Sequence, residues 1–264
     1  MVQHDRAGER SDKVKAIFCL GSSHIIAVAN GYRQRLRAGR TGGFDAWKTI
    51  AMQPHHVGGK YVIGPAFDAE WAAAMSKVEL SAIFLCFYGA EHAQMALVNA
   101  FPFDFYMPGD AQEEMTVRNG EVIPYDVMLA TCAARVARAM TIVRHLKSLT
   151  SLPIYHILSP PPASDEHAQA YPSAAFRELL AKHGITPARV RRKLWRLCNV
   201  AARQMYEGMG ISVIEAPSEA LDECGNLAPQ YCAQDPVHGN ADYGALVIDR
   251  LVSIASSHEL RTFP

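Results

Sequence analysis

The chain has 264 residues, 49% of them hydrophobic and 20% charged, a composition that fills a buried core. Its 26 Lys and Arg balance 26 Asp and Glu, which gives no support to general polyanion binding, so no nucleic-acid partner is expected. The N-terminal "MVQHDRAGERSDKVK" lacks an apolar signal region, and no stretch reaches the roughly 18 uninterrupted apolar residues of a spanning helix. A cytoplasmic protein with no membrane partner is the expectation.

Residues 1–13 read as a disordered tail and 14–258 as one domain. The first strand is 14–20, "VKAIFCL", followed by a helix over 24–38 that Gly39 ends. A weaker strand falls at 47–53, then a helix in "FDAEWAAAMSKV" that Asp68 can cap. "AIFLCFY", 82–88, is apolar without alternation, as a parallel strand covered on both faces must be. Two insertions interrupt the rhythm, at about 100–125 and 160–185. In the first, Asn119-Gly120 stands between β-prone arms and predicts a hairpin. A helix over 126–148 precedes the strand "LPIYHIL", and the prolines of "SPPPASDEHAQAYP" predict loop. Helices over 173–183 and 187–208, the strand "ISVIEAP" and a helix over 239–256 complete the pattern. Such alternation predicts a three-layer α/β/α sandwich on a mainly parallel five-stranded sheet.

The 187–208 helix carries Arg189, Arg191, Arg192, Lys193, Arg196 and Arg203. Because Val190, Leu194, Leu197, Cys198 and Ala201 recur at helical spacing, the basic residues read as its solvated face. Cys19 and Cys86 lie inside strands, no cysteine pair has C-x-x-C spacing, and the thiols read as reduced core residues. His156 reads as packed and hydrogen-bonded. The aromatics Phe101, Phe103, Phe105 and Tyr106 either line a ligand pocket or anchor their own loop. His55, His56, Glu91, His92 and His238 match no metal-ligand spacing.

Chemistry concentrates where strands end. In open α/β sheets ligands bind outside the carboxyl ends of the strands. "GSSH" (21–24) follows the first strand, "GAEH" (89–92) the third, and "DPVHGNADYG" (235–244) lies before the last helix. Asp235-Pro236-Val237-His238 is the only Asp-x-x-His in the chain. At that spacing the carboxylate can hold the imidazole in the tautomer that accepts a serine proton; alone, it is equally a helix cap beside a surface histidine.

In this order the three segments resemble the SGNH (GDSL-type) hydrolase superfamily. The resemblance implies a flavodoxin-like fold and a serine ester hydrolase, with Ser23 as nucleophile, His238 as general base and Asp235 as its orienter. It also implies an oxyanion hole from the N–H of Ser23 and of a glycine before the second helix. Gly64 is that glycine, with Gly59 its rival. Glu91 takes the position of the family's Asn, where an ionised carboxylate cannot donate; burial would have to keep Glu91 protonated, or His92 would donate instead. Ser22 replaces the family's Asp. The expected substrate is a small-molecule or carbohydrate ester, such as an O-acetylated sugar, and no metal or organic cofactor is required. An acyltransferase of surface-polysaccharide metabolism, or an impaired SGNH-like binding protein, stays open as the alternative.

Overall fold

The computed structural model describes residues 13–44, 46–51, 55–57, 60–62, 67–87, 91–109 and 120–262, so the N-terminal tail up to residue 12 lies outside it. The chain runs β1 (Val14–Gly21), α1 (Ile25–Arg37), β2 (Ala46–Ala51), β3 (His55–Val57), β4 (Lys60–Val62), α2 (Phe67–Met75), β5 (Val78–Glu79) and β6 (Ile83–Cys86). Next come α3 (Glu91–Ala96), β7 (Phe103–Asp104), β8 (Glu121–Val122), α4 (Tyr125–Val136), α5 (Met140–Leu149) and β9 (Ile154–Ile157). The last elements are α6 (Asp165–Ala170), α7 (Arg177–His183), α8 (Ala188–Glu207), β10 (Ser212–Ile214) and α9 (Ala241–Thr262).

Five parallel strands form the central sheet in the order β2-β1-β6-β9-β10, and the short β5 extends it at the start of β1. Successive side chains of a strand point to opposite faces, so each strand feeds two cores. Phe18, Leu20, Ile83, Leu85 and Ile154 pack under α2, α4, α5 and α8. Ile17, Cys19, Phe84 and Ile157 pack under α1 and α9. The result is a three-layer α/β/α sandwich, and the unbroken apolar runs of β1 and β6 follow from it.

Three local expectations differ. The second arm of the expected hairpin, Glu121–Val122, pairs parallel with Phe103–Asp104 instead; Asn119 and the first arm lie outside the described residues. The segment 159–172 contains a helix, α6, because its prolines flank it and Ser164 caps it by accepting from the His167 N–H at 3.2 Å. The 126–148 helix is divided by a 3-10 turn at Ala137–Ala139. The antiparallel pair β3–β4 flanks Gly58-Gly59, a two-residue sequence that favours a hairpin between short strands.

The basic face of α8 needs the larger correction. Arg191 and Lys193 are buried, at 1% and 5% exposure. Arg191 donates to the Thr186 and Ala163 carbonyls at 2.9 and 2.8 Å and to Asp165 at 2.5 Å. Lys193 pairs with buried Asp104 and donates to the Phe105 carbonyl at 2.9 Å. Both insertions fold over α8 and bring acceptors to it, which helical spacing within α8 cannot reveal. Stranding such a charge costs about 3–5 kcal/mol, so the two side chains pin the insertions down. Phe105 is fully buried and Phe103 stacks on it at 6.5 Å, so these two anchor their loop, while Phe101 and Tyr106 are exposed.

Candidate active site

Ser23 stands in the turn between β1 and α1. Gly21 ends the strand where a Cβ would run into the Cys86 carbonyl of β6, so only glycine fits. The Ser22 N–H donates to that carbonyl at 3.1 Å, and Ile25 and Ile26 N–H groups donate back to Ser22 and Ser23 carbonyls at 3.1 and 3.2 Å. Those bonds swing the chain from strand to helix and leave Ser23 exposed while His24 is buried.

His238 and Asp235 lie in the loop before α9. The Ala233 N–H donates to the His238 carbonyl at 2.9 Å and the Asn240 N–H to the Tyr231 carbonyl at 2.8 Å, closing the loop. Within it Asp235 Oδ1 accepts from the N–H groups of Val237 and His238 at 2.8 and 2.9 Å. Asn240 caps α9, its Oδ1 accepting from the Asp242 and Tyr243 N–H groups at 2.9 and 3.1 Å. From α6, His167 Nε2 donates to the Ala233 carbonyl at 2.8 Å.

The two segments meet because α1 and α9 touch backbone to backbone. A Cβ on Gly31 would overlap the Gly244–Ala245 backbone, and one on Gly244 would overlap the Ala27 carbonyl. At the ends of these helices His238 Nε2 lies 2.9 Å from Ser23 Oγ. His238 Nδ1 lies 3.0 and 3.1 Å from the two Asp235 carboxylate oxygens. A carboxylate only accepts, so Nδ1 carries the proton and Nε2 offers its lone pair to the Ser23 hydroxyl. Burial opposes ionisation of Asp235, but the bonds from the His238 ring and from the Val237 and His238 N–H groups outweigh it and bring its carboxyl down to about 2.

Glu91 lines a cavity of about 20 Å³ with His92, His156, Asn199 and Tyr206, room for one water. Ser23, Asn30, Asp235, His238 and Asn240 line a separate cleft of about 440 Å³. Among the described residues none lines both. Burial pushes the Glu91 carboxyl up to about 7, against the pull of its own backbone hydrogen bond, Arg135 and Arg138. His156 stacks on Tyr206 at 3.8 Å but its Nδ1 has no hydrogen-bond partner among the described residues, unlike the bonded core histidine expected. Gly64, its rival Gly59, and Gly89–Ala90 lie outside the described residues.

Sequence reasoning missed His24, whose ring packs on His238 at a centroid distance of 4.6 Å, and His167, for which no local motif exists. Asn240 was findable as a polar residue directly before a helix. Among the described residues no group of three or more His, Cys, Asp or Glu side chains could hold a metal ion, and no helix is long and apolar enough to cross a membrane.

The fold and the site thus define a parallel α/β sandwich with a hydrogen-bonded Ser–His–Asp chain at the carboxyl edge of its sheet. Solved structures similar to it include a GDSL-like lipase from Bacteroides thetaiotaomicron, with 10% identity, a TM-score of 0.46, and coverage of 91% of this chain and 89% of that one. The periplasmic domain of a lipopolysaccharide acetyltransferase from Salmonella ser. Paratyphi A shares 14% identity at a TM-score of 0.48, over 92% of this chain and 84% of that one. A carbohydrate acetylesterase family member from Sinorhizobium meliloti shares 11% identity at a TM-score of 0.43, over 92% and 98% of the two chains. No protein-family model matches the chain, and no curated protein matches it in sequence.

Proposed function

We propose that the protein is a serine ester hydrolase of SGNH type, working through Ser23, His238 and Asp235. The observation that carries the reading is the 2.9 Å approach of Ser23 Oγ to His238 Nε2, with Asp235 on the far nitrogen. A hydroxyl is a weak nucleophile at neutral pH and needs such a base. His238 takes the Ser23 proton as Oγ attacks the ester carbonyl, and the Ser23 N–H receives the oxyanion. The intermediate collapses when His238 hands its proton to the leaving alkoxide, giving acyl-Ser23 and the free alcohol. Water, deprotonated in turn by His238, attacks the acyl carbon; the bond to Ser23 Oγ breaks, His238 returns the proton to Oγ, and the carboxylic acid leaves.

The cleft of about 440 Å³ suits a short acyl ester or an O-acetylated sugar.

Asp235→Asn tests the proposal. The amide keeps Oδ1 as acceptor for the loop N–H groups, so the fold survives, but it no longer holds His238 in the required tautomer. Hydrolysis of p-nitrophenyl acetate is expected to lose about 10³–10⁴ in kcat. An unchanged rate contradicts the assignment of Asp235.

A further inference from the structure

We propose that His24 is a positioning residue whose ring holds the His238 imidazole in the rotamer that keeps Nε2 on Ser23. The inference rests on the catalytic reading of Ser23, His238 and Asp235.

His24 occupies the N-cap of α1, a position that Ser, Thr, Asp or Asn fill to satisfy free helix N–H groups. Its side chain makes no capping bond. The ring lies against His238 instead, at a centroid distance of 4.6 Å and an interplanar angle of 45°. His24 is 5% exposed, and neither ring nitrogen has a hydrogen-bond partner among the described residues. A buried imidazole that neither caps its helix nor satisfies its nitrogens is a poor choice for stability alone. What the ring supplies is a flat wall against the catalytic base.

The ionisable groups facing His24 are His238 and Asp235 from the loop before α9 and His92 from α3. Burial, then the two imidazoles, hold His24 down to about 3 against the opposing pull of Asp235. It therefore stays neutral where the enzyme works, neither competing for the Ser23 proton nor repelling His238 once that ring is charged. A neutral aromatic face beside an imidazolium is mildly attractive. Deleting the wall frees His238 to swing from Ser23, while a phenyl ring restores it.

The test combines a spectroscopic readout with kinetics. In the wild type the proton on His238 Nδ1, shared with Asp235, is expected as a resolved low-field imidazole resonance. His24→Ala should broaden or remove it and lower kcat on p-nitrophenyl acetate about 10- to 100-fold, with KM nearly unchanged. His24→Phe should restore the resonance and most of kcat, and should melt no lower than the wild type, since it removes two unpartnered buried nitrogens. Should the Ala variant fail to fold, His24→Leu fills the volume without a flat ring and takes its place. An unchanged resonance and kcat in the Ala or Leu variant overturns the proposal, as does a Phe variant no better than Ala. A wild type without esterase activity defeats the catalytic reading instead, and the resonance still decides what His24 does to His238.

Discussion

Ser23→Ala and His238→Ala are each expected to lower kcat for a short-chain ester by about 10⁴–10⁶-fold, and the double variant to do no worse than either single one. The two side chains act as one unit: without the base the hydroxyl keeps its proton, and without the hydroxyl the base has nothing to activate. Folding should survive both changes. Ser23 is exposed, His238 is partly exposed, and the loop around them is closed by backbone bonds and by Asp235 rather than by either deleted group. Circular dichroism and melting temperature check that point. Additive losses, or a Ser23→Ala enzyme retaining more than about 1% of wild-type kcat, would show that the two residues do not cooperate in the chemistry.

Mild acid should unfold the protein. His24, His92 and His156 are buried, and burial is the leading cause that lowers each from 6.5 to about 3. Between those values the unfolded chain binds protons that the folded one refuses, so stability rises with pH through that window and falls on acidification. Glu91 works in the opposite sense. Raised from 4.5 to about 7, it is neutral in the fold and ionised in the unfolded chain across that interval, so its contribution grows as pH falls. Each proton held by only one of the two states changes stability by ~1.4 kcal/mol for every step of one in pH. Three histidines against one carboxyl therefore leave a net loss of about 5 kcal/mol between pH 7 and 4.5. That is comparable with the whole stability of a domain. Urea midpoints by circular dichroism across this range should drop steeply. His156→Phe, which keeps the stack on Tyr206, should flatten the dependence. A midpoint that stays level from pH 7 to 4.5 contradicts the account.

What could be read from sequence follows the range of the interactions involved. β1 and β6 are visible because burial on two faces writes itself into consecutive residues. Asp235 and His238 are visible because the bond between them spans three positions. Ser23 is visible only as a strand-end serine, and its meeting with His238 depends on the Gly31–Gly244 contact, which joins segments 213 positions apart and leaves no local trace. Arg191 and Lys193 mislead for the same reason, since their acceptors, Ala163, Asp165, Thr186, Asp104 and Phe105, all lie outside α8. His24 follows the same rule. As a residue at a helix start it resembles a weak cap, and only the folded chain sets its ring against His238.

The hydroxyl of Ser23 as an activated nucleophile is the claim on which the functional account stands, and covalent trapping tests it most directly. Intact protein treated with a fluorophosphonate at neutral pH should gain the mass of one adduct, mapped by peptide sequencing to Ser23 and absent from Ser23→Ala. An unmodified wild type between pH 5 and 9, or an adduct that persists in the alanine variant, would contradict it.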